Sequence, residues 1–267
     1  MKDIKWYRAW DIVYPVGIYY VLMNVATFVV CLIVPLTDES YGFIKVLTTL
    51  FVLPVVYVMY RNDQLRRGVQ KAKAKELLFD MRSEILPLLG ILVMAACAAV
   101  VLNNLIAWTP LMKVSATYQS VTRKFFGGAV IFEILGPCIL VPVLEEYVFR
   151  GLVYKRLREW LGMTWAVVIS AIIFGMMHMN IVQFVYAGFL GVFLALCVER
   201  TKHLYGAILA HMAANTISVI RTETNWLSWM DESLQAQTLT TVGMGLVFIG
   251  LYLLVFWKGK GDGKKII

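Results

Sequence analysis

Six side chains in the second half of the chain could do chemistry together: Glu145, Glu146, Arg150, His178, His211 and Asn215. Glu145, Glu146 and Arg150 close a run that is apolar from Ala129 to Leu144 except at Glu133. In hydrocarbon an ionisable side chain costs several kcal/mol unless a partner or a water-filled cavity rescues it. His178 and His211 are two of only three histidines in the chain, and both fall inside apolar stretches. Two carboxylates, two imidazoles, a guanidinium and an amide on three neighbouring stretches can move protons, polarise a carbonyl or bind a metal.

Spacing assigns different work to each member. Adjacent residues on a helix point about 100° apart, so Glu145 and Glu146 cannot face the same way. Glu146 and Arg150 stand at i,i+4 in the favourable acid-before-base order. That pair reads as structural support, leaving Glu145 as the freer group and the candidate general base. His211 and Asn215, also four apart, share one helix face. At about 1.5 Å of rise per residue, Glu145 stands roughly 15 Å from Lys155, His178 roughly 20 Å from the start of its helix and His211 roughly 12 Å from His203. If the helices alternate in direction, the three meet at a similar membrane depth. Glu133, near the outer end of its helix, reads as interfacial, and so does His203 beside Lys202.

The elements that must hold these residues follow from composition. Hydrophobic residues make up 60% of the 267 and charged residues 16%, against an ordinary ~45–50% and ~25%, and the mean hydropathy is +0.73. The expected fold is all-α: one integral-membrane domain over 1–267, a polytopic helical bundle in the cell membrane. Apolar runs near the ~20 residues of a spanning helix occupy 12–36, 43–60, 85–108, 129–152, 163–179, 182–198, 204–220 and 239–257. That makes about eight transmembrane helices. The first run is too long for a signal-peptide core and reads as a membrane helix, with Trp6, Tyr7 and Trp10 at the interface.

The formal charge of +8 is distributed as an orientation signal rather than as a nucleic-acid footprint. With both termini cytoplasmic, 19 of the 25 Lys and Arg fall inside, five fall outside, and Arg150 lies at membrane depth. The basic insert 61–84 reads as a solvated cytoplasmic helix attracted to anionic lipid. Cys31, Cys97, Cys138 and Cys197 lack any metal or redox spacing and read as small core hydrophobes.

Taken in order, Glu145-Glu146-x-x-x-Arg150, Phe174-x-x-x-His178 and His211-x-x-x-Asn215 resemble the three motifs of the CPBP intramembrane proteases, the CAAX protease and bacteriocin-processing (Abi) family. Pro142, Phe149 and Gly151, the run Ala187-Gly188-Phe189-Leu190-Gly191, and Glu199-Arg200-Thr201 agree with it, so the resemblance covers about 131–218. It implies an eight-helix fold and an intramembrane endopeptidase cutting a peptide or membrane-protein substrate near the cytoplasmic face. Glu145 would activate water together with His178, while His211 and Asn215 would polarise the scissile carbonyl or join a metal site. One divalent ion, zinc by the family's usual classification, would take Glu145, His178 and His211. A metal-free glutamate base with an oxyanion hole fits the same residues.

Two other functions fit the sequence in part. A non-catalytic membrane factor, such as a bacteriocin-immunity or scaffolding protein, would keep the fold without needing Glu145. A transporter would also carry intramembrane Glu and His, but it should show internal repeats or broken helices in both halves, and none is visible.

Overall fold

A computed structural model describes residues 6–68 and 84–257. The described residues fold as a bundle of helices with no strand. We number them α1 (Trp6–Cys31), α2 (Asp38–Arg66), α3 (Ile85–Ala107), α4 (Leu111–Val114), α5 (Ala116–Phe125), α6 (Val130–Leu161), α7 (Met163–Met176), α8 (Ile181–Thr201), α9 (Leu204–Glu223) and α10 (Leu234–Trp257). A 3₁₀ turn, Asn225–Asp231, joins the last two. The helix expected in the basic insert falls mostly on 69–83, outside the described residues; α2 itself runs on to Arg66.

The chain is a multi-pass membrane protein. Each expected span corresponds to a helix, but among the described residues five helices are both long and apolar enough to cross a bilayer, or six if α5 and α6, bent by 115°, form one span. The remainder falls short for physical reasons. The 14 residues of α7 reach about 21 Å of a ~30 Å hydrocarbon layer. Though 20 residues long, α9 carries His211, Asn215, Arg221 and Glu223. The residues that make the site interesting also lower the hydropathy of its helices.

Local chemistry sets the helix ends. Thr37 and Ser40 form a capping box at the start of α2. Ser115, Asn180 and Ser233 cap α5, α8 and α10 through their side chains. Between α7 and α8 the chain turns through Met179, whose φ of 56° is left-handed, and the Asn180 amide donates to the His178 carbonyl at 3.1 Å. This short turn sets His178 at the junction of two antiparallel neighbours.

The rod that carries the glutamates is not uniform. Within α6, Ile134–Leu140 and Tyr147–Tyr154 are wound as π-helix, and the α-helical turn Val141–Glu146 lies between them. Pro137 and Pro142 lack a backbone N–H, which favours a local change of winding. The buried core lies on both sides of this rod. One part packs Ile91, Met94, Leu194, Ala207 and Ala210 between α3, α8 and α9. The other packs Tyr19, Val52, Phe149 and Phe174 between α1, α2, α6 and α7. Large apolar side chains stay exposed along α1 (Val21, Phe28) and α10 (Leu246, Ile249), as lipid-facing helices allow. Cys97, Cys138 and Cys197 are buried, Cys31 is half-buried, and all four are free thiols.

Candidate active site

Glu146 stands at the centre of the polar interior. Its Oε1 accepts from Arg150 Nη1 at 2.9 Å, and neither side chain has any exposure. The i,i+4 pairing expected on an α-helix therefore forms even though Arg150 lies in a π-helical segment. The same oxygen also lies 2.9 Å from His211 Nδ1. That oxygen already accepts from a guanidinium, and its remaining acceptor capacity suits Nδ1–H. In the neutral ring this pairing fixes the His211 tautomer and leaves a lone pair on Nε2. This role of Glu146 was not visible from spacing within its own helix.

His178 reaches the same state by another route. Its Nδ1 lies 3.1 Å from the Phe174 carbonyl, one turn earlier on α7. A carbonyl can only accept, so Nδ1 is the donor, and in the neutral ring Nε2 again keeps its lone pair. Phe174 does more than space the motif. Its ring makes edge contacts with His178 at 5.1 Å and with His211 at 5.7 Å between centroids. The Arg150 guanidinium lies 4.3 Å from the same ring's centroid, a cation–π contact in a dry setting.

Arg150 is held on its other side by the Gly191 carbonyl, 3.2 Å from Nη2. A Cβ on Gly191 would meet Arg150 Nη2 at 3.1 Å and both Ala171 Cα and Phe174 at 3.2 Å. A side chain at this position would thus oblige the buried cation or α7 to give by a few tenths of an ångström. Gly175 plays the matching part on α7, where a Cβ would come within 2.7 Å of the Phe184 carbonyl.

Glu145 faces the other way, as the 100° offset requires. It lines a cavity of about 620 Å³ together with Tyr19, His178, His211 and Asn215. The Tyr19 hydroxyl on α1 donates to Glu145 Oε1 at 3.5 Å. Glu145 Oε2 and His211 Nε2 are 3.9 Å apart, too far for a direct hydrogen bond. Asn215 Nδ2 donates to the Pro137 carbonyl at 2.7 Å, which leaves its second amide hydrogen uncommitted. Tyr19 was missed because one tyrosine in an apolar first helix carries no signal of its own.

All six sequence-derived residues are thus brought together: Glu145, His178, His211 and Asn215 around the cavity, Glu146 and Arg150 behind it. Glu133, near the start of α6, is buried within the protein, at 1% exposure, and it lines the same cavity. His203 stays apart, stacked on Tyr205 at 5.2 Å.

The donor chemistry suits a divalent ion in kind, with two imidazole Nε2 lone pairs and one carboxylate, each histidine oriented through Nδ1. Among the described residues, however, no three His, Cys, Asp or Glu side chains are gathered closely enough to hold one.

Comparison with known proteins places the likeness on this half of the chain. Residues 127–217 match a family described as "Type II CAAX prenyl endopeptidase Rce1-like". A 92-residue stretch is 34% identical to "Putative membrane peptidase YdiL" of Bacillus subtilis (strain 168), covering 34% of this chain and 38% of that protein. The chain therefore spans about two fifths of the length of the curated relative it matches. No solved structure matches it. The matched segment contains Glu145, Glu146, Arg150, His178, His211 and Asn215, while Tyr19 lies outside it.

Proposed function

We propose that this chain, a member of the CPBP family through residues 127–217, is an intramembrane endopeptidase that hydrolyses a peptide bond in the cavity beside Glu145. The observation that carries the reading is the 3.9 Å gap between Glu145 Oε2 and His211 Nε2. Two acceptors at that spacing, on the wall of a cavity, are suited to share a third species between them. A water placed there donates one hydrogen to Glu145 and the other to an imidazole Nε2, which turns its own lone pair toward the substrate carbonyl. Glu145 takes the proton as the water attacks and returns it to the leaving amine. The second amide hydrogen of Asn215 is the donor on hand for the developing oxyanion, while the Tyr19 hydroxyl holds Glu145 Oε1. Glu146 and Arg150 do not touch the substrate; they hold His211 in the required tautomer.

Drawn closer than they stand among the described residues, Glu145, His178 and His211 would be the residues to hold a divalent ion such as zinc. When bound, the ion would supply a Lewis acid and a water of lowered pKa. The roles of Glu146, Arg150 and Phe174 are the same with or without it. The substrate is a peptide or membrane protein able to enter from the bilayer, and the family's description favours one ending in a prenylated CAAX sequence.

The test is cleavage of candidate peptides by purified protein in nanodiscs, wild type beside Glu145→Gln, with metal analysis of both samples. Loss of a nucleophile-activating base should lower cleavage by about 10²-fold or more. Full activity in Glu145→Gln would overturn the assignment. A stoichiometric ion lost in His178→Ala and His211→Ala would make the enzyme a metalloprotease.

A further inference from the structure

Twelve residues before Glu145 on the same helix, Glu133 is a second glutamate among the residues that line the cavity, and it is the one that the proposed reaction does not use. It is 1% exposed. Neither Oε1 nor Oε2 has a hydrogen-bond partner among the described residues. Natural proteins rarely leave a buried carboxylate unsatisfied, and one that lines a cavity points to a partner that arrives from outside.

The surroundings show which partner is missing. Arg221 also lines the cavity; its Nη2 is engaged by Asp231 at 2.5 Å and by Asn104 Oδ1 at 2.6 Å, and its Nη1, itself without a hydrogen-bond partner among the described residues, does not satisfy Glu133. Lys45 lines the wall as well without satisfying either Glu133 oxygen. Cationic side chains are thus present in this half of the cavity, yet the carboxylate stays unmatched.

We propose that Glu133 is a substrate-binding subsite that takes a basic side chain, lysine or arginine, of the bound peptide. The inference rests on the peptidase reading only for the word substrate; the binding it describes does not need cleavage. Twelve residues of helix span no more than about 18 Å, and an extended peptide advances about 3.3 Å per residue. A chain lying along α6 with its scissile bond at Glu145 would therefore set its basic residue about five positions from that bond. A guanidinium or ammonium there would receive charge-assisted hydrogen bonds in a site of low dielectric. This gives the enzyme a way to choose among peptides that are otherwise apolar.

The experiment measures binding and cleavage separately. Labelled apolar peptides carrying one lysine, one norleucine or one glutamate at the same position, with that position moved along the peptide, are titrated into the full-length protein in nanodiscs. For the best position the lysine peptide should bind wild type about tenfold or more tighter than its norleucine twin, as a hydrogen bond to a charged group implies. Glu133→Gln should abolish that preference, and Glu133→Lys should turn it toward the glutamate peptide. Thermal unfolding of each variant checks the fold, and the near-isosteric Glu133→Gln keeps the test valid if the lysine variant is unstable. Equal binding of lysine and norleucine peptides at every position, no binding at all, or a preference retained in Glu133→Gln would overturn the subsite. Lysine-dependent binding without cleavage of any bound peptide would leave the subsite standing and overturn the peptidase reading.

Discussion

Glu146–Arg150 and Asp63–Arg156 are both carboxylate–guanidinium pairs, closed at 2.9 and 2.7 Å, but they sit in different places and carry different loads. The inner pair is wholly buried, and one oxygen, Glu146 Oε1, receives both Arg150 and His211. The outer pair lies at the ends of α2 and α6, with side chains 11% and 9% exposed, and its members have alternatives. Arg156 also donates to the Tyr14 hydroxyl and the Asp11 carbonyl, while Asp63 keeps a second cation in Arg67 at 3.0 Å. Redundancy at the helix ends buffers the loss of any one partner. In the interior Arg150 has the Gly191 carbonyl and the Phe174 ring besides Glu146 but no second carboxylate in an ion pair among the described residues, and the oxygen that holds the guanidinium also holds the His211 imidazole.

The largest expected effect comes from breaking the inner pair on one side only. Arg150→Met leaves Glu146 charged and buried without its cation, which costs about 3–5 kcal/mol. It should appear as a large fall in the thermal unfolding midpoint in nanodiscs. Arg150→Met with Glu146→Leu removes both charges and should recover most of that stability. Cleavage should not recover with it, because His211 Nδ1 then has no acceptor and the imidazole is free to turn. Recovery of activity in the double variant would show that the pair serves the fold alone. A single variant as stable as wild type would remove the contrast between the two regions.

Next in size is Gly191→Ala, which tests the inner pair through packing rather than charge. The added methyl would crowd Arg150 Nη2 at 3.1 Å and Ala171 Cα at 3.2 Å, contacts that must give way by small shifts on both helices. About 1–3 kcal/mol is the usual cost of such overpacking. Gly188→Ala, with nothing within 4 Å of the new Cβ, is the control on the same helix and should unfold near wild type.

The same contrast explains what could be read in advance. Within one helix, spacing was enough: Glu146 and Arg150 pair as their i,i+4 separation requires, and Glu145, rotated by 100°, faces the cavity. Matching the levels of Glu145, His178 and His211 was enough to expect them in one place. What spacing cannot convey is contact between helices distant in sequence. Glu146 meets His211 across 65 positions and Tyr19 meets Glu145 across 126; neither contact has a local signature. The burial of Glu133 was hidden for a related reason: position near a helix end carries no sign of which other helices pack around it. The π-helical winding of α6 was hinted at by Pro137 and Pro142 alone, and prolines also occur inside α1 and α2, where the helix continues without it.

The smallest effects belong to the outer region and test whether redundancy is real. Arg156→Ala removes two hydrogen bonds to Asp63 Oδ1 and leaves Oδ2 with Arg67. The loss should be about 1–2 kcal/mol, well below that for Arg150, since one charged partner remains. Glu159 lies one step further out: it pairs with Arg67 at 2.5 Å, but its own side chain is 63% exposed. In water that carboxylate is solvated whether or not Arg67 is present, so Glu159→Ala should shift stability by no more than about 0.5 kcal/mol. Adding 1 M salt should screen what remains of that pair and leave the Arg150 variant's deficit unchanged, because no ions reach a pair with zero exposure. Unfolding midpoints of the variants at low and high salt measure both statements. A salt-sensitive deficit in Arg150→Met would mean that water reaches the inner pair and that the two regions differ in degree rather than in kind.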